Sequence, residues 1–220
     1  MITFPPQVRH ELAGWTLFWA DLEARPLAPE KLAVLRQEVA ERARETHARA
    51  PITEHAMAAA VRRLFRAAGC DPTRYRPSSE ALLRRVLKGE ELPAIHPFVD
   101  LNNCLSVELV VPACVLAYGS AVPPFTLRAG QQGEAMASLR GPIDLAGKPL
   151  LGDVEGPFGT PITDGERVRV GPETDRVWLV CYLPTGVSDP ERALQVLTSL
   201  LTAAPVAVVR ETAVTRAGPG

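Results

Sequence analysis

An α+β fold is what this sequence predicts, with a β-rich centre, helices ahead of it and one helix behind it. Ahead of Gly89, apolar residues recur at helical spacing. Between Ala121 and Gly171, short apolar pieces alternate with Gly and Pro turn signals (VPPFTLRAG, GPIDLAGKPLLG, VEGPFGTPITDGERVRVG). From Arg176 to Leu183 the run RVWLVCYL has the near-continuous apolar character of a strand buried on both faces. Helices and strands in this mixed order belong to the α+β class. The expected organisation is a single domain over 1–220, with a helical part at 1–90, a core at 91–212 and a disordered tail at 213–220.

In order, WTLFWADL from Trp15 to Leu22 reads as a first strand between Gly14 and Pro26. Glu30 to Ala48 reads as a helix whose Leu32, Leu35, Val39 and Ala43 face inward. Thr53 is expected to cap a second helix carrying Met57, Val61, Leu64 and Phe65 and ending at Gly69. Ser78 or Ser79 is expected to cap a third, closed by Lys88 and Gly89. Near the end, Ser188 caps a helix with Pro190 in its first turn and Leu194, Leu197, Leu200 and Leu201 inward, and Ala207–Thr212 forms a last strand.

Composition narrows the function classes. At 220 residues and 46% hydrophobic the chain can bury a full-sized core. No apolar run reaches the roughly 20 residues of a membrane span. The start, MITFPPQVRHE, lacks the charged and apolar regions of a secretion signal. Cys70, Cys104, Cys114 and Cys181 form no CxxC pair and read as free thiols of a cytoplasmic protein. A net charge of −1 argues against a general polyanion or DNA binder. Locally, between Val61 and Glu91, eight basic residues face four acidic ones, enough to touch a few phosphates. The ordinary reading of those charges is a solvated helix face.

Function concentrates in Ile95–Tyr118, IHPFVDLNNCLSVELVVPACVLAY. Ile95–Val99 leans towards strand, and Asp100, Asn102 and Asn103 are residues of helix starts. The picture is a strand entering a helix N-terminus that carries two amides, a place able to receive an anionic or carbonyl ligand. The plainer reading is capping alone. GxSxG, Walker A, GxGxxG and HExxH are absent, and His10, His47, His55 and His96 lack metal-ligand spacing. No cofactor is expected. Cys114 has no neighbouring base or cation to activate a thiolate. The Gly-rich stretch Gly152–Gly171 holds Asp153, Glu155, Thr160, Thr163, Asp164, Glu166 and Arg167, either as a chain of turns or as a polar pocket wall.

The run YRPSSEALLRRVLKGEELPAIHPFVDLNNCLSVELVVPA, Tyr75 to Ala113, resembles free-standing relatives of the tRNA-editing domain of the phenylalanyl-tRNA synthetase beta subunit, its third and fourth modules. Those relatives typically read YRPS.EALLRRVLKG..LP.INP.VD..N..SL...LP. GERVRVGPETDRVWLV is similar to their SERTK.TEDTKNVLF, and FRAAGCDPTRYRP to their FGVDP..YRP connector. The likeness spans roughly residues 10 to 202.

The resemblance implies a layered β/β/α core with a pocket in which the synthetase hydrolyses tyrosine wrongly esterified to its tRNA. It puts Asn103 and Glu166 in catalytic roles, and Asn102, Pro112, Cys114, Glu155, Thr160 and Arg167 in substrate binding. Cys114 stands where the synthetase carries a histidine, so the acyl group accepted here differs or the activity is lost. Arg74, Arg76, Arg84, Arg85 and Lys88 are the candidate RNA contacts. The implied function is a trans-acting aminoacyl-tRNA deacylase with tRNA as partner. The alternatives are a non-catalytic module binding RNA or a small amino-acid-like ligand, and a domain whose partner is another protein. An aminoacyl ester is already activated, so positioned water and an oxyanion donor suffice without a protein nucleophile.

Overall fold

The computed structural model describes residues 3–26 and 29–217. Its elements are β1 (Val8–His10), β2 (Trp15–Ala24), α1 (Pro29–His47), α2 (Ala56–Ala67), α3 (Ser78–Leu87), α4 (Pro97–Leu109), β3 (Ala113–Ala117), β4 (Phe125–Ala129), β5 (Ala135–Ser138), β6 (Gly141–Asp144), β7 (Pro149–Asp153), β8 (Gly156–Gly159), β9 (Arg176–Pro184), α5 (Pro190–Ala203) and β10 (Ala207–Arg216).

One sheet runs β10-β2-β9-β3 with every neighbour antiparallel. Strands β2, β9 and β3 are largely buried on both faces, and their two-residue period sorts the core into two parts. Phe18, Ala20 and Leu22 of β2 join Val177, Leu179 and Cys181 of β9 against the helices α1, α3, α4 and α5. The alternate residues, Trp15, Leu17 and Trp19 with Trp178, Val180 and Tyr182, meet a second sheet, β1-β4-β7-β8, and α2. Aromatic rings fill that seam: Trp178 lies 6.0 Å from Phe125, which lies 4.9 Å from Phe158. The layers are therefore helix, sheet and sheet, as an α+β chain with a β-rich centre implies.

Several local expectations are corrected. Thr53 sits in a single 3-10 turn, Ile52–Glu54, and α2 begins after His55, which makes no side-chain cap. Ser78 and Ser79 lie inside the first turn of α3, with Pro77 at the cap position. Asp189 rather than Ser188 caps α5, its Oδ1 accepting from Glu191 N at 2.9 Å. Leu197 and Leu200 are buried, but Ala193 and Val196 complete that stripe, while Leu194 is exposed and Leu201 only partly buried. The last strand runs on to Arg216, so 213–216 are paired with β2 instead of disordered, and 218–220 lie outside the described residues. Its side chains are mostly half-exposed, so backbone pairing to β2 sets its length and hydrophobicity carries no signal of it.

Candidate functional site

The largest correction falls on Ile95–Val111. No strand precedes the amides; α4 starts at Pro97, whose missing N–H and fixed φ suit a first helical position. His96 is the cap, its Nδ1 accepting from Phe98 N at 3.3 Å. That acceptor role puts the ring proton of neutral His96 on Nε2. Burial lowers the His96 pKa, with Asp100 opposing. Asp100 is no cap either: its Oδ1 takes Ile95 N (2.8 Å) and its Oδ2 takes Arg36 Nη1 (2.6 Å), clamping the chain entry to α1.

Asn102 and Asn103 therefore stand mid-helix, without free helix-terminal N–H groups around them. Helix α4 is buried almost all round, which is why its apolar residues show no clean stripe. It ends at Val110 in the left-handed region (φ 55°), and the chain turns back into β3. This reversal brings the Ala113 carbonyl to the Asn102 Nδ2, 3.1 Å away, a tie that offsets the poor helix propensity of Asn.

Between α4, the edge strand β3 and the segment 160–172 lies a cavity of about 630 Å³, within the range of small-molecule sites. Asn102 and Asn103 form one wall, Ala113 and Val115 the floor, and Thr160, Asp164 and Glu166 the facing wall. Among the described residues no side-chain hydrogen bond engages the Asn103 amide. Thr160, in contrast, is committed to its own turn, donating to Thr163 O (2.9 Å) and accepting from the N–H groups of Ile162 and Thr163. Gly165 fixes the facing wall: its N–H donates to Phe158 O, and a Cβ there would stand 2.8 Å from that same oxygen.

Of the residues expected to share a pocket, Asn102, Asn103, Thr160 and Glu166 line this cavity. Pro112, Cys114, Glu155 and Arg167 do not. Strand alternation turns Cys114 away from Ala113 and Val115 into the aromatic seam, its Sγ 3.9 Å from Tyr182 Oη. Burial pushes its thiol well above the usual range. Arg167 is consumed elsewhere, donating to both oxygens of Asp153 (2.8 and 3.0 Å) and to Glu155 (3.1 Å).

The sequence places Asp164 in a possible pocket wall but assigns it no role. Its Oδ1 is buried without a hydrogen-bond partner. Burial pushes the carboxyl up to about 7, against the pull of the Cys114 thiol and the Arg140 guanidinium. An Asp before Gly reads locally as a turn residue, and nothing nearby in sequence signals its burial.

The candidate RNA residues lie outside the cavity. Glu80, buried, gathers Arg62 (2.9 Å), Arg84 (3.0 Å) and Arg76 (3.6 Å), while Arg85 pairs with Glu90 (3.1 Å). Arg74 leans over the Tyr75 ring at 5.2 Å, and Lys88 is exposed. At the cavity mouth, Arg140 and Arg169 are exposed and have no carboxylate partner among the described residues. No group of three or more His, Cys, Asp or Glu is placed to hold a metal ion there or elsewhere among the described residues. No described helix is long and apolar enough to cross a membrane.

The family model of the B3/4 domain matches residues 60–202. The chain belongs to the B3/4 domain family. It is thus a relative of the editing-type module of the phenylalanyl-tRNA synthetase beta subunit. Every residue lining the cavity falls inside the B3/4 match. Among solved structures, the chain is similar to an N-terminal fragment of the phenylalanyl-tRNA synthetase beta subunit from Pyrococcus horikoshii, at 14% identity and a TM-score of 0.46. That similarity covers 97% of this chain and 51% of the fragment, so the chain spans about half the fragment's length. No curated protein matches.

Proposed function

We propose that this B3/4 domain protein hydrolyses the ester of a mischarged aminoacyl-tRNA in trans, using the cavity between α4 and segment 160–172. One observation carries the reading: the B3/4 match contains the whole cavity, and that cavity presents the Asn103 amide, which no side-chain hydrogen bond engages among the described residues.

The chemistry asks little of the protein. Water attacks the ester carbonyl, negative charge gathers on the carbonyl oxygen, and the 3′-terminal ribose oxygen leaves with a proton. Asn103 Nδ2 would donate to that oxyanion, a contribution that strengthens as charge develops. Glu166, exposed on the facing wall, would orient the attacking water or hold a polar group of the acyl chain. The protonated Cys114 thiol faces away, which favours direct attack by water over a covalent thioester. Arg140 and Arg169 at the mouth would receive phosphates of the single-stranded tRNA end.

A panel of tRNAs, each charged with a wrong amino acid through a ribose ester, provides the test. Faster ester loss with protein than without it, for at least one member, is the expected result. If every member keeps its uncatalysed half-life yet binds saturably, the cavity serves recognition alone.

A further inference from the structure

His96 brings an uncommitted donor to the wall of the cavity. Its Nδ1 accepts from Phe98 N, and its ring stacks on the buried Phe98 ring at 5.6 Å, so the imidazole is held in one orientation. The other nitrogen, Nε2, then carries the proton of the neutral ring and faces away from the helix start. No hydrogen bond engages it among the described residues. Unlike Nδ1 of His10 and His55, it is not shut off from solvent.

Helix geometry fixes how far this donor stands from Asn103. The two residues lie on one face of α4, two turns apart with Val99 between them, so about 10 Å separates them along the axis. A donor at that distance does not touch an ester carbonyl held by Asn103. It meets a part of the ligand at least one sugar ring away.

Exposure decides which part. Beside His96, Ile95 is 67% exposed, and Leu139 on the cavity rim is 48% exposed. Asn103 and Ala113, in contrast, are 9% and 8% exposed. An RNA chain is too wide to pass inward, so its nucleotides stay at the open end and the acyl group takes the closed one. The exposed guanidinium groups of Arg140 and Arg169 stand at the mouth as well, where phosphates would follow.

We propose that His96 and Ile95, with Leu139 on the rim, seat the terminal nucleoside of the RNA, the acyl group running inward along α4 to Asn103. This rests on the reading of the cavity as an aminoacyl-RNA site and adds its direction. The base covers Ile95 and Leu139, removing apolar surface from water. His96 Nε2 donates to an acceptor of the same nucleoside. His96 is thus a positioning residue for the RNA end, with no part in the chemistry at the ester.

The RNA trinucleotide CCA, the sequence of a tRNA 3′ end, tests the seat apart from any hydrolysis. It would be titrated to millimolar concentration while the imidazole signals are followed by NMR, that of His96 being the one missing in His96→Asn. This variant keeps the fold, because Asn is itself a preferred helix cap. CCA should move the His96 signal saturably, and phenylalanine amide should leave it in place. His96→Asn and Ile95→Ala should each weaken CCA binding about three- to tenfold, the loss expected for one hydrogen bond or one covered apolar side chain. A His96 signal unmoved by CCA, a signal moved by the amide instead, or unchanged affinity in both variants would each overturn the proposal. If CCA moves His96 while every mischarged tRNA keeps its uncatalysed half-life, the seat stands and the deacylase reading falls. Hydrolysis with His96 unmoved by CCA removes the seat alone.

Discussion

Arg36 of α1 donates to Asp100 of α4 across 2.6 Å, and the same carboxylate receives the backbone N–H of Ile95. Asp100 is almost wholly buried and Arg36 largely so. One side chain thus joins two helices and pins the chain entering the cavity wall. Asp100→Ala leaves a guanidinium and an N–H without their acceptor, and should cost about 3–5 kcal/mol, as breaking one side of a buried pair does. Urea unfolding measures it. A loss below about 1 kcal/mol would mean that water replaces the carboxylate.

Asn103→Ala should lower deacylation turnover by roughly 10²-fold, the usual loss for one oxyanion donor. Folding should be little changed, because no side-chain hydrogen bond engages that amide among the described residues. Cys114→Ser should leave turnover within about threefold, since its side chain points into the aromatic seam. Abolished hydrolysis in Cys114→Ser beside full activity in Asn103→Ala would reverse the assignment.

All four cysteines are buried. Burial pushes Cys70 up to about 11 and Cys104 up to about 12, and raises Cys114 and Cys181 as well. The thiolate is the reactive form, so a soluble alkylating reagent at pH 8 should label the native protein slowly and the denatured protein at four sites. Mass spectrometry counts the adducts; rapid labelling of one native cysteine would reveal local opening at that residue.

Asp164 also ties stability to pH. Its carboxyl titrates near 3.8 unfolded and about 7 folded. Between those values the unfolded chain has released a proton that the native chain retains, so this group makes stability fall as pH rises from about 4 to 7 and contributes no slope above. Asp164→Asn should remove that slope and stabilise the protein at pH 7.5 by about 1–3 kcal/mol, less than full linkage because the residue is only part-buried. Comparing unfolding curves of the two proteins at pH 4.5 and 7.5 tests this. An identical difference at both pH values would show that Asp164 titrates normally.

The two sets of arginines can be ranked by salt. Replacing Arg140 and Arg169 with Ala should reduce the slope of log affinity for tRNA against log salt by about 1–2, since each single-strand phosphate that a guanidinium neutralises adds about 0.7 to it. Arg84→Ala with Arg85→Ala should reduce it less, because Glu80 and Glu90 already occupy those guanidinium groups. The opposite order would return the RNA-binding face to α3.

The sequence by itself determined the layers. Helical stripes in α1 and α2, the apolar run of β9 and the turn-rich strands β4–β8 each carry a periodicity that burial on one or two faces demands. Those signals are local, so they survive without knowledge of the neighbours. The motif run from Tyr75 to Ala113 likewise pointed to the B3/4 family before any geometry was known. Only the tertiary structure decided the site. Helix α4 is surrounded by protein and shows no clean polar face, and the apolar Ile95–Val99 ahead of and at its start resembles a strand until Pro97 is seen at a helix start. The strand register of β3 turned Cys114 away while presenting Ala113 and Val115. Asp164 gained its character from burial between segments far apart in sequence. Which oxygen is left unpaired depends on distances between such segments, and no local pattern of residues encodes those.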